Sequence, residues 1–391
     1  MAKAPYDIAI IGAGIIGLST ARFLTKDFPG LKIAVLEKEP NIAQHQTGHN
    51  SGVIHSGIYY KPGSQKAQFC VAGVEAIKNY CREKGVPIDE CGKVIVATNT
   101  NQFETLEQLY KRGLANGVPN LKIIGAEELR EIEPHVHGIK AIHAPHTAIV
   151  SFAKVSTEYA NDIKEFGGSI LLGHKVIDIS TIGKTLSIET SKGLIQSKYI
   201  INCGGLYADK IANMLGQSSQ IRIVPFRGEY FILRTGSKHL VRGLIYPVPD
   251  PRFPFLGVHY TKRITGEIEA GPNAVLAWAR EGYSKTKINL PETMSNLAFP
   301  GFWRMAYKNW RTGVGELHRS YIKSVFVRDL QRLIPDITSA DVKPGGAGVR
   351  AQAINNTGEL LDDFCIVESM RAIHVLNAPS PGATSSLSIG I

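Results

Sequence analysis

A strand, a glycine-rich turn, a helix and a second strand follow one another near the start of the chain, and this succession restricts the fold more than any other feature. Residues 6–11 are an apolar run, the turn reads Gly12-x-Gly14-x-x-Gly17, and residues 32–36 are a second apolar run. Gly12 permits a tight turn, Gly14 lets a pyrophosphate approach the backbone, and Gly17 lets the helix pack closely on the strand. The free N–H groups at the start of the helix attract phosphate. The sequence therefore predicts a Rossmann-like α/β domain that binds a dinucleotide.

The residues around this unit narrow the choice of dinucleotide. Glu37 ends the second strand, where a carboxylate accepts a hydrogen bond from a ribose 2′-hydroxyl and repels a 2′-phosphate. Ala21 extends the glycine pattern as in many FAD proteins, and the sequence contains no second unit of this kind for a nicotinamide nucleotide. Residues 346–350 read Gly-Ala-Gly-Val-Arg, but they follow Lys-Pro instead of an apolar strand and are interpreted as a loop near the ligand. We expect one bound dinucleotide, FAD.

Three histidines follow the second strand and raise the question of a metal site. His45 and His49 are four residues apart, but Gln46 stands where a zinc protease has glutamate, so we expect no metal. Residues 47–57 mix small residues with hydrogen-bond donors, and His55 lies among them. We interpret this segment as a loop lying along the flavin.

The charge of the chain indicates an anionic partner. There are 44 basic and 34 acidic residues, a net charge of +10. Residues 301–332 carry seven basic and two acidic residues, so 7 − 2 = +5 lies in one aromatic-rich stretch. Such a stretch is typical of a helix at a membrane surface, and the alternative is a solvated helix with its aromatic rings in the core. No nucleic-acid-binding motif is present, so we expect no nucleic-acid partner.

Other composition features exclude further classes. The five cysteines are scattered, without a CxxC pair, which indicates reduced thiols. No apolar run approaches the ~20 residues of a membrane-spanning helix. Only five residues precede the first strand, and we expect no targeting segment among them.

Several separated motifs, in order, resemble those of the D-amino-acid-oxidase-like FAD-dependent oxidoreductases, and more closely the L-2-hydroxyglutarate dehydrogenase/oxidase group within them. The resemblance covers essentially the whole chain. Its motifs are residues 45–55 (HQTGHNSGVIH), 202–209 (NCGGLYAD), 225–231 (PFRGEYF), 348–352 (GVRAQ) and 377–385 (NAPSPGATS).

The resemblance implies a fold and an activity. The fold is an α/β, Rossmann-like FAD-binding domain of the D-amino-acid-oxidase/glutathione-reductase type, with a second, α+β mixed-sheet substrate domain. The FAD-binding domain comprises residues 1–84, 146–220 and 344–391, and the substrate domain comprises 85–145 and 221–343, with a membrane-facing basic helical region at 301–333. The implied reaction is the oxidation of L-2-hydroxyglutarate to 2-oxoglutarate by hydride transfer to flavin N5, with a quinone as electron acceptor. The alternative is an oxygen-using amino-acid or hydroxy-acid oxidase of the same fold. The implied location is peripheral, at the cytoplasmic face of a bacterial membrane or, for a processed eukaryotic chain, in the mitochondrion.

The residues expected to bind FAD combine the glycine turn with positions that the resemblance implies. Val176 would hold the adenine through its backbone, and the loop that begins at Ser380 would lie at the pyrimidine end of the flavin. In some relatives a histidine at the place of His49 carries the flavin covalently. The full set is Gly12, Gly14, Ile16, Gly17, Glu37, Lys38, Thr47, His49, Asn50, Ser51, Gly52, Val176, Gly204, Gly205, Ser380, Gly382, Ala383 and Thr384.

Oxidation of a 2-hydroxy acid requires a cation for the carboxylate and a base for the hydroxyl proton. Arg350 is the expected carboxylate clamp, because a guanidinium pairs with two oxygens at once. His55 and His259 are alternative bases, since imidazole titrates near neutral pH. Tyr60 is a candidate hydrogen-bond donor. For the second carboxylate of a dicarboxylate, Arg227 and Lys93 remain equal candidates.

Overall fold

The computed structural model describes residues 4–217, 220–250 and 257–390. Its strands are β1 (Tyr6–Ile11), β2 (Ile33–Glu37), β3 (Val53–Ile54), β4 (Ile88–Asp89), β5 (Lys93–Ala97), β6 (Lys122–Gly125), β7 (Lys140–Ala144), β8 (Ala148–Val150), β9 (Ser169–Leu172), β10 (Val176–Ile182), β11 (Thr185–Thr190), β12 (Gly193–Asn202), β13 (Ile221–Leu233), β14 (Leu244–Pro247), β15 (His259–Lys262), β16 (Ile268–Gly271), β17 (Val275–Leu276), β18 (Val342–Asn355), β19 (Cys365–Glu368) and β20 (Ala372–Asn377).

Most of the helices lie between these strands, and α10 follows the last strand. They are α1 (Ile15–Asp27), α2 (Gln65–Glu83), α3 (Phe103–Ala115), α4 (Ala126–Ile132), α5 (Phe152–Glu165), α6 (Ala208–Met214), α7 (Leu290–Leu297), α8 (Pro300–Tyr321), α9 (Lys323–Leu330) and α10 (Ser386–Ile389). Among the described residues, none of these helices is both long enough and apolar enough to cross a membrane.

The first sheet has eight strands and contains the predicted Rossmann-like unit. Strand β1 lies at its centre, parallel to β2 on one side and to β12 on the other. Ile10 packs on one face with Leu18 of α1 and Val155 of α5, and Ala9 packs on the other with Ile188 of β11. Because both faces are covered, β1 and β2 read as continuous apolar runs without polar alternation.

The second sheet has nine strands, and most of its neighbouring strands run antiparallel. Its longest pairing is between β13 and β18, which run antiparallel over their whole lengths. A core on one face of the sheet includes Tyr260 of β15 and Phe326 and Leu330 of α9. Other residues of this sheet line a cavity together with the turn after β1. These two sheets confirm the predicted fold class, an α/β domain with a second mixed-sheet domain.

Some sequence predictions differ from the structure in their details. Arg350 was expected in a loop, but it lies within β18, where it pairs with Phe226 of β13. The loop prediction was wrong because pairing with β13, which is remote in sequence, keeps this glycine-rich segment extended. Strand β18 also keeps residues 344–355 in the second sheet, beyond the predicted domain boundary at 344. The candidate base His259 is the first residue of β15 (His259–Lys262), and residues 251–256 lie outside the described part.

The basic stretch at 301–333 forms α8 and α9, as the sequence predicts. Phe302 and Met305 of α8 are buried. Trp303, Tyr307 and Trp310 are 58%, 85% and 57% exposed, so the alternative that placed these rings in the core is wrong.

Candidate active site

A cavity of about 1140 Å³ lies between the carboxyl ends of β1, β2 and β12 and one face of the second sheet. This is where open α/β sheets bind their ligands. The volume exceeds the ~300–1,000 Å³ of usual small-ligand pockets, so the cavity has room for a dinucleotide and a second molecule.

The glycine turn forms the floor of this cavity, and its geometry excludes larger residues. Gly12 has φ +107°, and a Cβ there would lie 2.5 Å from the Cys203 carbonyl oxygen. A Cβ on Gly17 would lie 2.1 Å from the Gly12 carbonyl oxygen. Thus Gly12 provides the turn, Gly17 provides the close packing of α1, and the helix start faces the cavity.

Glu37 and Thr47 hold this turn in place through the backbone. One carboxylate oxygen of Glu37 accepts from Ala13 N at 2.8 Å, and the other accepts from Glu39 N at 3.0 Å. The Thr47 hydroxyl accepts from Ile15 N, the first residue of α1, at 3.0 Å. Both side chains also line the cavity, so they shape the site as well as facing its ligand.

The loop after Thr47 is fixed by Asn50. Its amide donates to the Thr47 carbonyl oxygen at 2.6 Å, and its carbonyl oxygen accepts from Gly52 N at 2.8 Å. Further along, Thr384 of the terminal loop accepts from His55 N at 3.1 Å. The two predicted flavin loops are therefore joined to each other directly.

Most of the predicted ligand-binding residues meet at this one cavity. Its lining includes Gly12, Gly14, Ile16, Glu37, Lys38, Thr47, His49, Asn50, Ser51, Val176, Gly204, Gly205, Ser380, Gly382, Ala383, Thr384, His55, His259 and Arg350. Three predicted residues do not line the cavity: Gly17, Gly52 and Tyr60. The two glycines lie against backbone atoms, and Lys66 Nζ lies over the Tyr60 ring. The binding roles of all these residues stay predictions.

His49, at whose place some relatives have a flavin-bearing histidine, lines the cavity beside the second sheet. Its Nδ1 donates to the Ala347 carbonyl oxygen at 3.1 Å, and its ring lies 4.4 Å from that of Tyr283. These contacts fix the ring at the junction of β18 with the loop before α7.

The second sheet supplies the wall opposite the glycine turn. His259 of β15, Arg350 of β18, Tyr246 of β14 and Tyr230 of β13 line the cavity together. The rings of Tyr246 and His259 are 4.0 Å apart. The two tyrosines were missed by sequence reasoning, because apolar strands rich in aromatic residues read as ordinary core.

The two candidate bases are both neutral at neutral pH. Burial, with the nearby charges of Lys93 and Arg350, lowers the pKa of His259 to about 3, although a hydrogen bond to Gly257 opposes the shift. Nδ1 of His259 donates to the Gly257 carbonyl oxygen at 2.9 Å, so the lone pair is on Nε2. Burial also lowers the pKa of His55 well below its usual value, with smaller contributions from Lys93 and His259.

The structure separates the two candidates for a second anion anchor. Arg227 pairs with Glu229 at 2.9 Å, donates to the Ser284 carbonyl oxygen at 3.1 Å and lies outside the cavity lining. Lys93 is buried behind Tyr246, with its Nζ 4.4 Å from that ring's centroid.

Glu281, from the loop before α7, lines the cavity at the end beside Lys38. The sequence did not predict this residue as part of the site. It pairs with Lys38 at 2.5 Å and accepts from the Tyr207 hydroxyl at 2.9 Å. Glu39, His45 and Glu281 could together ligate a cation, but the Lys38 ammonium group already lies between Glu39 and Glu281. Burial alone would raise the pKa of Glu281, yet the pairing with Lys38 lowers it to about 2.

A glycine-turn dinucleotide cleft that opens onto a wall with a guanidinium and a neutral imidazole defines a flavin-dependent oxidoreductase of two domains. The model of the family described as FAD dependent oxidoreductase matches residues 7–391. The chain therefore belongs to this family, and FAD is its cofactor. The glycine cradle and the size of the cavity fit that group.

Two similar curated proteins are L-2-hydroxyglutarate dehydrogenases. The chain is 51% identical to the L-2-hydroxyglutarate dehydrogenase of Indibacter alkaliphilus over 98% of this chain and 97% of that one. It is 45% identical to the mitochondrial L-2-hydroxyglutarate dehydrogenase of Homo sapiens over 98% of this chain and 87% of that one.

Solved structures show the same fold at lower identity. The L-alpha-glycerophosphate oxidase of Mycoplasma pneumoniae, solved with FAD bound, superposes with a TM-score of 0.80 and 22% identity, over 99% of this chain and 93% of that one. The glycine oxidase of Bacillus cereus gives a TM-score of 0.70 and 18% identity, over 98% and 93%.

Proposed function

We propose that this protein oxidises L-2-hydroxyglutarate to 2-oxoglutarate by hydride transfer to flavin N5, and that a quinone-type acceptor then receives the electrons. The observation that carries the proposal is the wall of the cavity, where Arg350 and His259 face the space that the glycine turn leaves for FAD. The names of the relatives at 45–51% identity support the choice of substrate.

Arg350 and His259, on the wall of the cavity, have different roles: one binds the substrate and the other accepts a proton. Arg350 binds the carboxylate next to the hydroxyl-bearing carbon, because its guanidinium presents two parallel donors. His259 accepts the hydroxyl proton at Nε2, since its Nδ1 is held by the Gly257 carbonyl oxygen. A carboxylate beside Arg350 offsets positive charge near His259 and so raises the pKa of that imidazole toward the range useful to a base.

Anaerobic mixing of the holoenzyme with each enantiomer of 2-hydroxyglutarate tests the reaction. We expect the L form to bleach the flavin absorbance and the D form to leave it unchanged. An unchanged spectrum with the L form would show that the substrate is wrong.

The same reduced enzyme tests the acceptor. We expect rapid reoxidation by a soluble quinone and slow reoxidation by dissolved oxygen. Steady release of hydrogen peroxide, with no gain in rate from added quinone, would support an oxygen-using oxidase instead.

A quinone acceptor requires access to a membrane surface, and α8 offers an apolar stripe suited to one. Residues spaced three or four apart fall on one face of a helix, and the exposed ones here are Trp303, Tyr307, Trp310, Val314, Leu317 and Tyr321. Arg304, Lys308 and Arg311 flank the stripe. An exposed aromatic stripe with basic neighbours favours docking on an anionic bilayer.

Co-sedimentation with vesicles containing anionic lipid tests this surface. The wild type should bind at low salt, and the double variant Trp303→Ser, Trp310→Ser should lose most binding. Met370→Ser is the matched control, since Met370 is 92% exposed but lies on the first domain. Equal binding by all three proteins would contradict membrane docking through α8.

A further inference from the structure

We propose that Lys93, with Tyr59 and His55, forms the subsite for the distal carboxylate of the substrate and sets the preference for a dicarboxylate over a monocarboxylate. This inference rests on the proposed function, because it concerns the part of the same substrate that lies farthest from the reacting carbon.

Lys93 is a buried cation with no anionic partner among the residues that the structure describes. It is 2% exposed on β5. Within residues 4–217, 220–250 and 257–390, no carboxylate and no hydrogen-bond acceptor meets its Nζ, whose contacts are the ring faces of Tyr246 at 4.4 Å and Tyr59 at 5.4 Å. Cation–π contacts recover only part of the lost hydration. A ligand carboxylate would supply the missing charge.

The thiols near Lys93 do not supply that charge. Burial raises the pKa of Cys70 to about 12 and that of Cys91 to about 11, so both are neutral at neutral pH. The positive charge of Lys93 is therefore not neutralised by these thiols. It contributes to the lowered pKa of both His55 and His259.

Two further polar atoms beside Lys93 also lack partners. In the described part of the chain, the Tyr59 hydroxyl and Nδ1 of His55 are buried and make no hydrogen bond. Buried polar groups are nearly always paired in folded proteins, so an unpaired one calls for an explanation such as a functional role, a water or an ion. An ammonium group, a hydroxyl and an imidazole nitrogen are together suited to a carboxylate.

This cluster lies next to the wall that carries Arg350 and His259. His55, Tyr246 and His259 line the cavity, and Lys93 lies directly behind the Tyr246 ring. Lys93 and Arg350 both act electrostatically on His259, so both cations lie near the same imidazole. A substrate with its hydroxyl at His259 would direct one carboxylate to Arg350 and the other past Tyr246 to Lys93.

The test compares two substrates of equal carbon number, L-2-hydroxyglutarate and L-2-hydroxypentanoate, in which a methyl group replaces the distal carboxylate. The measured quantity is the second-order rate constant of flavin reduction by each substrate. In Lys93→Met, we expect this constant to fall about 100-fold or more with L-2-hydroxyglutarate. With L-2-hydroxypentanoate it should stay within about threefold of the wild-type value. An equal loss with both substrates, or unchanged discrimination, would overturn the proposal.

Lys78→Met is the matched control. Lys78 is equally buried, but it pairs with Glu90 at 3.0 Å and donates to the His146 carbonyl oxygen, away from the FAD cavity. It should leave the discrimination between the two substrates unchanged.

A binding measurement separates this proposal from the proposed function. Glutarate and pentanoate are unreactive, and their binding to the holoenzyme is read from the perturbation of the flavin spectrum. Wild type should bind glutarate at least tenfold more tightly than pentanoate, and Lys93→Met should bind both alike. Equal affinities in wild type would overturn the subsite even if L-2-hydroxyglutarate is oxidised, whereas failure of L-2-hydroxyglutarate to reduce the flavin would overturn only the proposed function.

Discussion

At the scale of single residues, the two candidate bases differ in how their nitrogens are held. Nδ1 of His259 donates to a backbone carbonyl oxygen, so its tautomer is set and Nε2 is left as an acceptor. Nδ1 of His55 has no partner among the described residues, so nothing there sets its tautomer. A base requires a defined lone pair, and we therefore favour His259.

Substitution of each histidine by asparagine distinguishes them. His259→Asn should lower the rate of flavin reduction by L-2-hydroxyglutarate about 10²–10⁴-fold, the usual value of a positioned base. His55→Asn should mainly weaken substrate binding. A larger loss of the reduction rate in His55→Asn would reverse the assignment, and flavin content would confirm that both variants fold.

Lys93 predicts a pH dependence that distinguishes substrates. Burial lowers the pKa of Lys93 to about 8, so its charge is present below that pH and is lost above it. The groups facing it are Tyr59, Tyr246, Cys70, Cys91, His55 and His259, all neutral near pH 8. With L-2-hydroxyglutarate, kcat/KM of the free enzyme should therefore fall above about pH 8, by up to tenfold per pH unit. The decline should be absent with L-2-hydroxypentanoate and in Lys93→Met; its persistence in that variant would assign it to another group.

At the scale of elements, the start of α1 depends on backbone contact with the turn after β1. Gly17→Ala would drive a Cβ into the Gly12 carbonyl oxygen, displacing the helix start that faces the phosphates. We expect the variant to be purified with little FAD and to unfold at a lower temperature. Gly313→Ala in α8 is the control, because its Cβ meets open space, and it should stabilise the fold by about 0.5–1 kcal/mol. Full flavin content in Gly17→Ala would show that the close packing is dispensable.

At the scale of the whole molecule, the loop between β17 and α7 connects the two domains across the cavity. Glu281 pairs with Lys38, and the Tyr283 hydroxyl lies 3.1 Å from Nδ1 of His45. The contacts close the end of the cavity beside Glu37, which suits retention of the dinucleotide.

Glu281→Gln should therefore speed the release of FAD. The ion pair is about a quarter exposed on each side, so we expect a loss of about 0.5–1 kcal/mol, a twofold to fivefold faster release measured by flavin fluorescence after dilution. Glu107→Gln, which removes an ion pair to Lys140 far from the cavity, is the control. Equal release rates in the two variants would contradict a role in retention.

Local patterns predicted the parts of the site that are contiguous in sequence. The turn from Gly12 to Gly17 and Glu37 at the end of β2 could be placed because strand, turn and helix each follow from neighbouring residues. The family resemblance supplied the remaining cofactor contacts. By contrast, Glu281 meets Lys38 across 243 positions, and no local signal indicates that contact.

The sequence by itself determined the Rossmann-like unit and the basic helix α8, since each depends on spacing within one short segment. It also determined the FAD cofactor, through motifs that recur along the whole chain. Only the tertiary structure decided which side chains share the wall of the cavity, how Arg227 is neutralised by Glu229 and why Lys93 meets no anion in the described part of the chain. The physical reason is strand pairing. Strands β5, β13, β14, β15 and β18 belong to one sheet, so Lys93 and Arg350, far apart in sequence, come together in it. The register of these strands is set by long-range hydrogen bonds. The same pairing that buries Lys93 also places it beside the cavity, where the charge it lacks can arrive with a substrate.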